Sequence, residues 1–111
     1  MVELSKKDWK LFQERIGDWQ EAHMEKLNKE YVELLSGDEP ASKKFWALEE
    51  RIRSAKNTPG VRLNLRKSEA YWDLVDLMRR KVISEEDLDG FSEKLKEHIL
   101  IRAEYRFPED D

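Results

Sequence analysis

From Leu4 to Gly37 the apolar side chains recur at spacings of three and four: Trp9, Phe12, Ile16, Trp19, His23, Leu27, Tyr31 and Leu34. That is the period of a helix burying one face, and it predicts a long helix over about 5–36. Ser5 is placed to cap it with Asp8 at the third helical position, and Leu4 and Trp9 are spaced to close a hydrophobic staple. Ser36-Gly37 predicts the stop, through a glycine in the left-handed C′ conformation. About thirty residues at 1.5 Å each make a rod of roughly 46 Å, against about 34 Å for a compact domain of this length. The N-terminal part of the rod therefore needs a cover. Later helices folding back and a second copy of the chain are both open.

A second helix is predicted over about 40–56, with Asp38 as cap, Pro40 in the first turn and Ala41, Phe45, Leu48, Ile52 and Ala55 as its buried stripe. So short a loop predicts an antiparallel pair with the first helix. Trp46 falls about 100° from Phe45 around the helix, at the edge of the stripe or outside it. Asn57-Thr58-Pro59-Gly60 ends the helix. Val61 to Arg66 alternates like a strand, but no other stretch offers it a pairing partner, so 57–67 reads as a connector. A third helix over about 68–82 is apolar around a wide arc, through Tyr71, Trp72, Leu74, Val75, Leu77, Met78 and Val82. Ser84 and Asp87 form a capping box, with Ile83 and Leu88 as staple, for a last helix over about 85–105 that Gly90 weakens. The fold class is all-α: a single domain, 1–111, built as a small bundle of about four helices with a long N-terminal one.

Composition narrows the class further. Of 111 residues, 41% are charged and none is cysteine, which removes disulfides, thiolate nucleophiles and cysteine zinc sites. No apolar run is long enough to span a membrane and no signal-peptide pattern opens the chain, so a cytoplasmic location without membrane contact is expected. The net charge of −4 hides an uneven distribution: −4 over 1–50, +6 over 51–81 and −6 over 82–111. The basic middle either lies against the acidic flanks or meets an external anion such as a nucleic acid.

Candidate chemistry is sparse. His23 and His98 sit on or beside apolar stripes and neither is preceded at three residues by glutamate, so no metal or other cofactor is expected. Glu14, Asp18, Glu21 and Glu25 crowd one side of the first helix with lysines nearby, as on a solvated face. There is no P-loop, GxGxxG or GxSxG pattern, and an enzyme is not expected. A helix-turn-helix over Tyr71 to Phe91 fails on sign, since the N-terminus of its second helix would bring Glu85, Glu86 and Asp87 to the phosphates.

At Leu4 to Lys10, Ile16 to Glu21, Lys44 to Glu49 and Val82 to Leu88 the chain resembles a family of small uncharacterised helical proteins of Gram-positive gut bacteria and their mobile elements. Some of its members carry a multidrug-transporter label, which the lack of a membrane segment here contradicts. The resemblance implies a small accessory protein of mobile or phage-derived DNA and supplies no functional motif.

The expected function is thus a non-enzymatic protein-interaction module, with Trp9, Phe12, Trp19 and Trp46 as candidate contacts. The alternative is a nucleic-acid-binding accessory protein using Arg51, Arg53, Lys56, Arg62, Arg66 and Lys67. A homodimer is a further expectation for the partner. The apolar positions of the first helix repeat at eleven residues, from Ile16 to Leu27 and His23 to Leu34, which disfavours a simple left-handed zipper.

Overall fold

The structure, a computed structural model, describes residues 3–104. The fold is all-α: α1 (Lys6–Ser36), α2 (Ala41–Ala55), α3 (Ala70–Arg79) and α4 (Glu93–Glu104), with 3₁₀ turns at Lys67–Glu69 and Glu85–Leu88. No strand occurs among the described residues, and Val61–Arg66 is a turn followed by an irregular connector. The predicted end of the last helix near Tyr105 lies outside the described residues.

The chain forms two compact units, one made of the residues up to Gly17 and from Asn64 onward, the other of Asp18–Leu63. In the first unit Leu4, Phe12 and Ile16 of the N-terminal stretch are buried together with Tyr71, Leu74, Val75, Leu77, Ile83, Leu88, Phe91, Leu95 and Ile99. The cover that the first turns of α1 need is thus supplied by later parts of the same chain. Ser5 caps α1 by accepting from the Asp8 amide at 3.1 Å. The Asp8 carboxylate does not return to Ser5 but accepts from the backbone N–H of Ser92 at 3.0 Å and from its hydroxyl at 2.7 Å. Arg15 donates to the carbonyl of Asp87 at 2.9 Å, donates also to that of Asp89, and lies over the ring of Phe91 at 5.5 Å.

The helix predicted over 85–105 is interrupted. Its first turn is the 3₁₀ segment, opened by the predicted capping box, in which the Asp87 carboxylate accepts from the Ser84 amide at 2.7 Å. The chain then breaks at Gly90, whose φ of 96° lies in the left-handed region. A Cβ at this glycine would stand 2.9 Å from Arg15 Nη2 and 3.3 Å from Leu11, so a side chain there would be strained by the backbone angle and would push the Arg15 guanidinium aside.

α3 stops at Arg79, three residues before the expected end. Lys81, at φ 60°, is the left-handed C′ residue of a Schellman motif: Val82 N–H reaches Leu77 O at 2.9 Å and Lys81 N–H reaches Met78 O at 3.1 Å. Gly37, expected to play that part for α1, does not have a positive φ. Instead the Lys44 ammonium donates to the carbonyls of Leu35 and Gly37 at 3.0 and 3.1 Å, so a cation from α2 satisfies the end of α1. Asp38 makes no cap either: α2 is preceded by Pro40 at the cap position, without a side-chain hydrogen bond.

Candidate interaction surface

The second unit departs most from the expected packing. The α1 stripe is buried as far as Trp19 and only half-buried at His23, Leu27, Tyr31 and Leu34. α2 contains no buried residue at all. Phe45, expected on the buried stripe, is 62% exposed, and so is Trp46 beside it; their rings meet edge to face at 4.9 Å. Ile52 on α2 and Val32 and Leu35 on α1 are exposed as well. The hairpin is tied at its open end by Gln20, which donates to Pro59 O at 3.0 Å, while the Thr58 hydroxyl donates to Ala55 O at 2.6 Å within the turn that ends α2. Pro59 and Gly60 are buried.

Between the helices lies an open groove of about 240 Å³ lined by Met24, Leu27, Tyr31, Ile52, Ala55 and Val61 among others. A second hollow, of about 270 Å³, is lined by Phe45, Leu48, Glu49, Ile52, Arg53 and Lys56. Ile52 and Lys56 belong to both, so the two join into one apolar strip from Met24 to Phe45. Clusters of exposed large apolar side chains rimmed by charge are the usual mark of a surface that binds something.

The candidate contacts predicted from sequence divide sharply. Phe12 and Trp19 are buried in the fold, and Trp9 is half-buried with its ring 6.1 Å from that of Phe12. Their spacing served the core, so Phe12 and Trp19 are not available to a partner. Trp46 stands on the open surface. Phe45, Ile52, Val32 and Leu35 join it there and were missed, because a sequence stripe carries no information on whether a facing helix comes close enough to close over it.

The basic candidates are distributed over both units. Arg51, Arg53, Lys56 and Arg62 are exposed on the second, while Arg66 and Lys67 belong to the first. Arg53 is engaged with Glu49 one turn away, which holds the Glu49 carboxyl below its ordinary pKa. Arg62 lies 3.4 Å from the Asn57 side-chain oxygen. In the other unit Arg80 pairs with Asp76 at 2.9 Å and Arg79 donates to Arg102 O at 3.0 Å. The cations at 53 and 80 are thus balanced within their own helices, not by the acidic flanks.

His23 and Asp73 are perturbed as well, without forming a catalytic set. His23 is half-buried, and burial together with Lys26 lowers its pKa. Asp73 on α3 is pushed up to about 6 by burial and by the neighbouring carboxylates of Glu69 and Asp76, and its Oδ2 is buried without a hydrogen-bond partner. Among the described residues no three His, Asp or Glu side chains converge as metal ligands, and no helix is long and apolar enough to cross a membrane. No protein-family model matches the chain, and no curated protein or solved structure matches it significantly.

Proposed function

We propose that the chain is a non-enzymatic helical module that binds another protein through the exposed face of the 18–63 hairpin. The observation that carries this reading is α2, a fifteen-residue helix with no buried residue and an exposed Phe45-Trp46 pair. Each aromatic side chain buries about 150–250 Å² when covered, and at about 25 cal/mol per Å² such exposure is costly unless a partner relieves it. The resemblance at Leu4 to Lys10 and Lys44 to Glu49 adds the context: a cytoplasmic accessory protein of mobile or phage-derived DNA.

Affinity capture from a bacterial lysate, run in parallel with the wild-type chain and with F45E/W46E, tests the reading. A protein held by the wild type and lost by the variant, with helicity unchanged, supports it. Equal capture by both contradicts it. So does tight nucleic-acid binding with a steep salt slope, lost when Arg51, Lys56 and Arg62 are changed to Glu.

A further inference from the structure

We propose that the occupant of the hairpin face is a second copy of this chain, two hairpins packing with the acidic α1 segment of one protomer against the basic α2 of its partner. This rests on the reading of the hairpin as an interaction surface and names what fills it.

The hairpin carries opposite charge on its two helices. Residues 18–36 hold Asp18, Glu21, Glu25, Glu30 and Glu33 against Lys26 and Lys29, a net −3. α2 holds Lys43, Lys44, Arg51 and Arg53 against Glu49 and Glu50, a net +2, and Lys56 and Arg62 just past the helix bring residues 41–62 to +4. An isologous pairing presents each patch to its counterpart twice, so a surface that is acidic along one edge and basic along the other is self-complementary under a two-fold axis. A partner helix of one sign would be attracted along one edge and repelled along the other. The helical spacing sets Glu21 and Glu25 on the same side of α1 as exposed Val32, eleven and seven residues before it. Arg53 on α2, which also pairs with Glu49, and Lys56 just past the helix line the strip. The charges therefore border the apolar surface, where they set register and exclude wrong pairings.

The apolar area is on the right scale. Phe45 and Trp46, at 62% exposure and about 150–250 Å² each, leave roughly 200–300 Å² uncovered. That is a substantial part of the about 800 Å² per partner of a standard interface. Ile52, Val32 and Leu35 and the groove between the helices extend it. Paired hairpins of this kind make four-helix packing out of two open two-helix layers.

Light scattering coupled to size exclusion, on the full chain at low and high micromolar concentration, reads the outcome. The expected mass is near twice the 13.3 kDa of the chain, falling on dilution. F45E/W46E weakens the dimer by roughly 30-fold or more, the loss of at least one interface anchor, with circular dichroism unchanged. E21K/E25K and R53E/K56E each weaken it alone, and mixing them restores the dimer mass. This charge-exchange pair leaves the aromatics in place and decides the matter if F45E/W46E fails to fold. A monomer mass at every concentration overturns the proposal, as does a dimer that F45E/W46E does not weaken, or a mixture of the charge variants that stays monomeric. If the wild type is monomeric while capture of another protein still depends on Phe45 and Trp46, the second copy is ruled out and the interaction reading stands. If neither mass nor capture depends on them, both are overturned.

Discussion

The buried carboxylate of Asp8 accepts two hydrogen bonds from Ser92, 84 residues away in sequence, at 3.0 Å from the amide and 2.7 Å from the hydroxyl. It joins the first turn of α1 to the residue that precedes α4. A charged acceptor makes such bonds worth about 1.5–3 kcal/mol each.

Asp8→Ala is therefore expected to cost about 2–4 kcal/mol and Ser92→Ala about 1–2 kcal/mol. Because both act on one contact, the double variant should lose less than their sum. Urea titrations with an unchanged m-value check this. Additive losses would mean that the two side chains are not coupled.

Asp8 also shows where sequence reasoning stops. The capping spacing from Ser5 located the helix start correctly, and the Ser84–Asp87 box was legible in full, because both depend on neighbours within four residues. The long-range use of the Asp8 carboxylate was not legible, since a carboxylate at the third helical position suits a capping box and a distant amide equally well. Gly90 was legible as a weak point but not as a break: its positive φ and the approach of Arg15 and Leu11 from another helix are tertiary features. The apolar stripes of α1 and α2 were read correctly as stripes. The α1 stripe is buried as expected as far as Trp19 but not beyond it, and the α2 stripe is not buried, because closing a stripe depends on how near the facing helix lies, which periodicity does not encode.

Three backbone positions should respond in different directions. Gly90→Ala is expected to destabilise by about 1–3 kcal/mol, from its φ and from the clash with Arg15. Gly17→Ala, inside α1 with open space around it, should stabilise by about 0.5–1 kcal/mol. Lys81→Gly should also stabilise, by about 1 kcal/mol, by relieving a left-handed lysine. Thermal melts of the three variants test these signs; a neutral Gly90→Ala would contradict the left-handed backbone at this position.

Asp73 links stability to pH. Its folded pKa, raised to about 6 from 3.8, means that the native state holds a proton which the unfolded chain has released. This contribution is complete below the unfolded value and is lost as pH rises through about 6. The group is partly exposed, so solvent screening limits the effect to about 1–2 kcal/mol. Asp73→Asn should stabilise the chain near pH 7 by about that amount and have little effect near pH 4. An equal effect at both pH values would show that the Asp73 pKa is not raised in the folded chain.

Core and surface aromatics should separate in stability. Phe12→Ala, at a fully buried position, is expected to cost about 3–5 kcal/mol. Phe45→Ser and Trp46→Ser should each change monomer stability by no more than about 0.5 kcal/mol. A loss of several kcal/mol at Phe45, measured at a concentration where the chain is monomeric, would mean that α2 is closed against its own chain.

The most direct measurement of the interaction reading is photo-cross-linking, with a benzophenone amino acid in place of Trp46 and, as the buried control, in place of Phe12. Irradiation should give a protein adduct from position 46, to a second copy or to another chain, and none from position 12. No adduct from position 46, or a nucleic-acid adduct in place of a protein one, would contradict the account.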